Sequence, residues 1–562
     1  MKVRNFEFGR ERRRRRRAER WCGSAIAREP APTRTAKMSL DFSETYKRTG
    51  PTPVFSPDGR FLATAVEYRL VIRDAETLTV CSISSCLDRI HKIEWAPNSD
   101  HVLCACYKRG VVQCFSVSDE KWTCLIDEGP AGCVHARWSP NGTHILTVAE
   151  FNVRCSVWSL LDKSCVYLRQ PKFADRGIEF SPNGKFILVV ERRECKDHVS
   201  VVSCSTWTTA ARFQVATTDL ADATWSPDGT AIAVWDAPTE HALHVYRPDG
   251  LKLASYEPSS GGAAAGVRAG AWCPRGGLLA TGSLDQRARL FSHVSWRMLA
   301  ELAHPDAVVF PTTVAVYREV EEVDGVLVDS PHPGVLLDDG GEDDDDDDAE
   351  NDAGAANDTA LGVGGGRGES TWWEDVWDGH EEGFRAKHPA ATGAGSSRAP
   401  ERSERSRDPP PRPPQRAGRV TARYVVEPLP ASVPTRRPRL TGRSAPAVGV
   451  GALAFSGDGR FLATKNDCQP TTVWVWSAIS LELCACLQQL RPVTSFGWDP
   501  TAHRLAVATG DSRVYVWTPE GASFVEIPLP NFAAEEVAWS PAGGEFVLAD
   551  RDTFCCSFFG QD

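Results

Sequence analysis

The chain has 562 residues, 42% of them hydrophobic and 9% aromatic, with 18 cysteines, 13 histidines and a formal net charge of -11 at pH 7. That length and apolar content suit a well-buried body and exclude a chain disordered throughout. No apolar run approaches the length of a membrane helix or a signal-peptide core, which excludes helical membrane insertion and points to a cytosolic or nuclear protein with reduced thiols.

The net charge averages segregated blocks: arginines from Arg12 to Arg17, aspartates from Asp343 to Asp348, and a basic stretch from about Arg398 to Arg443. Such runs are usually solvated. The remainder is near balance, so charge alone makes nucleic acid an unfavoured partner. Residues 1–37 read as a disordered, arginine-rich extension before Met38, whose Ser-Leu-Asp-Phe-Ser resembles a natural start. The extension is a nuclear-import or nucleic-acid arm, an unused upstream start, or a tail without function.

From 38 to 320 a motif recurs: Phe55-Ser-Pro-Asp-Gly, Trp95-Ala-Pro-Asn-Ser, Trp138-Ser-Pro-Asn-Gly, Phe180-Ser-Pro-Asn-Gly, Trp225-Ser-Pro-Asp-Gly and Trp272-Cys-Pro-Arg-Gly. It returns over 444–562 as Phe455-Ser-Gly-Asp-Gly, Trp498-Asp-Pro-Thr-Ala and Trp539-Ser-Pro-Ala-Gly. The spacing within each group, roughly 40 to 47 residues, is that of one four-stranded propeller blade. Pro fixes φ, Asp-Gly or Asn-Gly makes a tight turn, and the aromatic ends a strand where its ring can sit between blades.

Short apolar runs such as Phe61-Leu-Ala-Thr-Ala-Val and Leu505-Ala-Val-Ala follow the turns as inner strands, and Val473-Trp-Val-Trp-Ser and Val514-Tyr-Val-Trp-Thr end units as third strands. The Trp-Asp dipeptide is mostly eroded. The expected fold is therefore all-β, a WD-repeat β-propeller of about nine to ten blade-like units. It is either one large ring or a seven-bladed ring with an incomplete second propeller. The last unit, with strands near Val537, Phe546 and Phe554, stops one strand short, and the segment from Ser43 to Thr49 is expected to supply the missing outer strand and remove a sheet edge.

Between the two groups, 321–443 is an acidic, then basic and Pro-rich insertion whose composition cannot bury a core and which is expected to be disordered. Within it Trp372, Trp373 and Trp377 stand in an acidic setting, either a short docking motif or a tolerated addition to a surface loop.

Gly364-Gly-Gly-Arg-Gly lacks the Gly-Lys-Ser/Thr ending of a phosphate loop, and Cys104/Cys106, Cys484/Cys486 and Cys555/Cys556 lack zinc-knuckle spacing. Residues two apart on a strand share a face, so these cysteines read as packed thiols. No catalytic, cofactor or metal residue is expected, and the chain reads as a non-enzyme.

Several segments go beyond a generic propeller: Glu67-Tyr-Arg-Leu-Val-Ile-Arg-Asp, Cys86-Leu-Asp-Arg-Ile-His-Lys-Ile-Glu-Trp, Tyr107-Lys-Arg-Gly-Val-Val-Gln, Glu191-Arg-Arg-Glu-Cys-Lys-Asp, His293-Val-Ser-Trp-Arg-Met, Leu487-Gln-Gln-Leu-Arg-Pro-Val and Thr509-Gly-Asp-Ser-Arg-Val-Tyr-Val-Trp. Over about 39–320 and 444–562 the chain resembles the WD-repeat protein eight family, described as encoded antisense to the p-seventy-three gene. The resemblance implies a scaffold at the centrosome or spindle pole that works with an Msd-type coiled-coil anchoring protein to hold microtubule minus ends. It further implies γ-tubulin or minus-end kinesin assemblies as partners, and a link to basal bodies and cilia. The extension before Met38 and the long insertion depart from the family pattern.

The family-like polar residues Tyr68, Arg69, Lys108, Arg109, Arg192, Arg193, Lys196 and Asp197 are expected at turns or strand ends, where a propeller exposes partner-binding groups. Intra-blade salt bridging is the alternative, while Arg192, Arg193 and Lys196 together would suit an acidic helix. A competing function is a translation-initiation or RNA-associated scaffold, which predicts salt-sensitive RNA association.

Overall fold

Each of the nine motifs joins the first and second strands of an antiparallel sheet, and in most of them the motif's own side chains hold the turn. In the first, Ser56 Oγ donates to Asp58 Oδ1 (2.6 Å) and accepts the Phe61 N–H (3.0 Å), while Gly59, at φ +74°, donates its N–H to Ser56 O. The same serine-to-Asp/Asn bond recurs at Ser139, Ser181, Ser226 and Ser456.

The computed structural model describes residues 39–168, 170–237, 242–256, 266–309, 314–323, 326–328, 420–436 and 448–560. Nine blades follow in chain order over 54–85, 92–127, 135–168, 178–214, 220–256, 267–303, 450–488, 495–526 and 536–559. They form one closed ring, which decides between the two expected arrangements. Nine apolar clusters each fill one interface between successive blades, the last joining Val547, Ala549 and Phe554 of blade 9 to Phe55 and Leu62 of blade 1.

The motif's aromatic locks these interfaces. Trp95, Trp138, Trp225, Trp498 and Trp539 each donate the indole N–H to a backbone oxygen of the preceding blade's inner strand, at 2.9–3.2 Å, and Trp272 donates to Thr224 Oγ1. Each such bond contributes about 1 kcal/mol beyond the burial of the ring. Where the aromatic is Phe180, Arg137 lies over its ring and donates to Ile178 O (2.7 Å) instead.

The ring closes on the expected segment and also on residues before it. Leu40–Phe42 pairs with Thr553–Phe559, and Tyr46–Lys47 pairs further along the same strand. Leu40 and Phe42 belong to the apolar cluster between blades 8 and 9, and Tyr46 of the expected segment packs on the cluster between blades 9 and 1. Ser43 marks the bend, donating its N–H to Cys556 O and accepting the Cys556 N–H on Oγ.

The span read as an insertion has ordered margins. Ala315–Val323 pairs in parallel with Leu483–Gln488, adding a strand to blade 7, and Val420–Glu427 pairs antiparallel with it. Tyr424 packs against Tyr317, Tyr515 and Phe524, an anchor that composition averaged over the whole span hides. Trp372, Trp373 and Trp377 lie outside the described residues, as does the extension before Met38. Among the described residues no helix is long and apolar enough to cross a membrane. Cys104, Cys106, Cys486, Cys555 and Cys556 are buried in their strands.

Candidate partner-binding face

Antiparallel order puts the first-to-second and third-to-fourth turns of each blade on one face of the ring. The second-to-third turns, with the crossings to the next blade, lie on the other. Tyr68 and Arg69, Lys108 and Arg109, and the 192–197 run occupy second-to-third turns of blades 1, 2 and 4, so the structure brings all of them to one face.

Their environments differ. In blade 2, Tyr107–Arg109 forms a 3-10 turn closed by Gly110, at φ +70°. Lys108 and Arg109 are exposed there; Arg109 Nη1 donates to Leu87 O (3.4 Å), and neither cation has a carboxylate at ion-pair distance among the described residues. In blade 1, Tyr68 is 42% exposed and the Arg69 guanidinium lies 5.5 Å from its ring centre.

Blade 4 follows the salt-bridging alternative. Asp197, 1% exposed, accepts the Leu220 N–H (2.6 Å) and pairs with Lys172 Nζ (3.2 Å), so it is internal and offers nothing to a partner. Arg192 pairs with Asp219 and lies 3.7 Å from Asp197, and Arg193 Nε pairs with Glu191 Oε2 (2.9 Å). Lys196 alone of this run is an exposed cation with no such pair.

Blade 3 supplies a residue the sequence reading missed. Phe151 stands at the second-to-third turn, 93% exposed, at φ +56° and ψ +18°, followed by Asn152 at φ +55° and the exposed Val153. A bulky residue in the left-handed region costs roughly 1–2 kcal/mol relative to an extended one. The signal was present: Phe151 lies between two strand-like runs, directly before the turn-forming Asn152. Arg154 fixes the far side of the turn by donating to the buried Glu128 (2.9 Å). Burial alone would raise the Glu128 carboxyl, and donation from Thr147, Arg154 and Trp158 overrides it, holding the group below the usual carboxylate range.

These turns form a continuous belt. Tyr68 O accepts the Cys86 N–H next to Leu87, and Leu87 O accepts from Arg109. A Cβ on Gly110 would lie 3.0 Å from Gly132 Cα, Gly132 abuts Glu150, and Asn152 Nδ2 donates to Lys172 O (3.0 Å). On the inner strands, burial pushes the His135 imidazole down to about 4, with Lys92 and Arg137 adding to it. It is therefore neutral and packed near neutral pH.

Nine four-stranded blades, aromatic-Pro-Gly turns and a final blade completed by the N-terminal strand define a WD-repeat β-propeller. The model of the WD domain, G-beta repeat, matches residues 256–292. The chain is 36% identical over 520 residues to mouse WD repeat-containing protein WRAP73, covering 92% of this chain and 96% of that protein. An uncharacterized WD repeat-containing protein of Schizosaccharomyces pombe is 23% identical over 234 residues, covering 39% of this chain and 48% of that one. The C-terminal WD40 domain of Sif2 aligns with a TM-score of 0.44 at 10% identity over 92% of this chain and 99% of that domain. The chain belongs to the WRAP73 family of WD repeat-containing proteins.

Proposed function

We propose that this chain is a non-catalytic interaction scaffold of the cytoskeleton, at the centrosome, spindle pole or basal body. There it anchors microtubule minus ends with an Msd-type coiled-coil partner and γ-tubulin or minus-end kinesin assemblies, and supports spindle and cilium assembly. The observation that carries the scaffold role is the belt: one face presents exposed Tyr68, Leu87, Phe151 and Val153 together with Arg69, Lys108 and Arg109, which have no ion pair among the described residues. Mixed apolar and cationic groups suit protein recognition. An RNA-associated scaffold needs a dense cationic track for phosphates, whereas here Arg192, Arg193 and Lys172 are already paired internally.

The test is proximity labelling with a tagged chain begun at Met38. Recovery of an Msd-type coiled-coil protein with γ-tubulin or a minus-end kinesin supports the proposal. Ribosomal subunits and initiation factors without centrosomal proteins favour the RNA-associated alternative.

A further inference from the structure

The least explained residue of the belt is Phe151. Nothing in the fold requires an aromatic there: the side chain is 93% exposed and its backbone adopts a conformation that Asn or Gly would hold with less strain. Backbone strain combined with full exposure of a large apolar group is the pattern of a residue kept for contact. Val153, also exposed, follows it and lines a cleft of about 310 Å³ with Leu168, Gln170 and, from blade 4, Glu191, Arg192 and Arg193.

Charge indicates what such a contact would carry. At the turns of blades 1 and 2, Arg69, Arg89, Lys108 and Arg109 lie among Glu67, Asp88 and, across the ring closure, Asp552, and Asp88 Oδ1 already accepts the Arg89 N–H (2.7 Å). None of the four cations has an ion pair among the described residues. Toward Phe151 the balance reverses locally, with Asp127 and Glu150 on the near side, and Asp127 is engaged by the Gly129 N–H (2.8 Å). An occupant spanning the belt therefore meets an apolar site at blade 3 and a cationic one at blades 1 and 2.

We infer that the second-to-third turns of blades 1 to 3 form a docking surface for an acidic segment of a partner protein, with Phe151 as the apolar anchor and Lys108 and Arg109 as the carboxylate contacts. The inference rests on the scaffold role and deepens it. An apolar side chain of the partner packs on Phe151 and Val153, and its carboxylates lie over the blade 2 turn. The long-range field of the cations steers approach, and the ring supplies the contact that slows release.

The test uses the full chain and a fluorescein-labelled helical peptide of Glu and Ala with Leu at positions i and i+4, read by anisotropy. Control peptides replace Leu by Ala, or Glu by Lys. The wild-type chain is expected to bind the Glu/Leu peptide best and to lose affinity as salt rises. F151N keeps the left-handed turn and removes the ring, so it should weaken the Glu/Leu peptide by about tenfold or more and leave the Ala control unchanged. K108E with R109E should weaken both acidic peptides by about tenfold and flatten the salt dependence.

Three results would overturn the inference: F151N binding as tightly as the wild type, the Lys peptide binding as well as the Glu peptide, or no binding to the wild type at millimolar peptide. Unchanged melting temperatures separate lost contact from lost folding. Proximity labelling with F151N separates this inference from the scaffold role. If the variant recovers the same centrosomal proteins as the wild type, the docking surface is wrong while the scaffold role stands.

Discussion

Two regions of the ring concentrate charge and handle it in opposite ways. Where the extra strand of blade 7 meets blade 8, Glu319 is 1% exposed and its carboxylate accepts from Tyr515 OH (2.8 and 2.9 Å), Arg513 Nη1 (2.9 Å) and the Leu490 N–H (3.0 Å). At the blade 2 turn, Lys108 and Arg109 reach solvent with no carboxylate at ion-pair distance among the described residues. A charge with a complete set of partners belongs to the fold, because removing any member strands the others away from water. A charge without partners can change at little structural expense and is available to something outside the chain.

Breaking the first region should give the largest effect. Glu319→Ala leaves the Arg513 guanidinium, the Tyr515 hydroxyl and the Leu490 N–H without their acceptor, and is expected to destabilise by about 3–5 kcal/mol, read as a lower urea midpoint. Glu319→Gln keeps one acceptor oxygen and should cost less, roughly 1–3 kcal/mol. A loss under about 1 kcal/mol for the alanine variant would mean that the extra strand is not held by this carboxylate, and the contrast would fail.

The closing strand comes next. Leu40 is buried among Val514, Ile527 and Phe546, and its strand is the outer edge of blade 9. Leu40→Asp places a carboxylate in that cluster and exposes an edge, at a cost of about 2–4 kcal/mol. Limited proteolysis should then cut first near the N-terminal strand. Unchanged melting and cleavage would show that Tyr46–Lys47 closes the ring without it.

A third test compares equivalent positions in two blades. Glu94 and Glu179 both precede the motif's aromatic, and each accepts the backbone N–H of the next blade's tryptophan. Lys92 pairs with Glu94 (2.7 Å), whereas Gly177 stands at the corresponding position before Glu179. Burial pushes the Glu179 carboxyl up to about 7, against the Trp225 N–H and with Asp222 adding to it. The folded chain therefore holds a proton there that the unfolded chain releases near its ordinary value of 4.5. This group's contribution to stability is full below pH 4.5 and is lost as pH rises through 7. Glu179→Gln should abolish that slope and stabilise the chain at pH 8 by roughly 1–3 kcal/mol. A variant with the same pH dependence as the wild type would remove Glu179 as its source.

How much was legible in the sequence follows the range of the interactions. The turn at Ser56 to Phe61 is held within six residues, so the motif disclosed the blades, their spacing and the all-β class. The choice between one ring and two depended on whether blade 6 meets blade 7 and blade 9 meets blade 1, contacts between residues far apart in the chain. The same distance hid the pairing of Ala315–Val323 with Leu483–Gln488. In the candidate site, Lys108 and Asp197 looked alike as polar residues in family-like runs. Only Lys172 and Leu220, 25 and 23 residues away, make Asp197 internal. Phe151 was readable as an aromatic in a turn, but its exposure became known only from the fold.

The smallest expected effect tests the other half of the opening contrast. Lys108→Ala with Arg109→Ala removes two exposed cations and one long hydrogen bond to Leu87 O. Gly110, which carries the left-handed conformation of this turn, is untouched. Surface substitutions of this kind stay within about 0.5 kcal/mol, so the urea midpoint should not move measurably. Lys172→Ala should lower it, because Asp197 then stays buried without its cation. If the blade 2 pair proved as destabilising as Lys172→Ala, these cations would be structural and the belt would lose its charged half. If the blade 2 pair were silent and Lys172→Ala were not, the boundary between charge that folds the ring and charge it presents would fall between blades 2 and 4, where the ion-pair geometry places it.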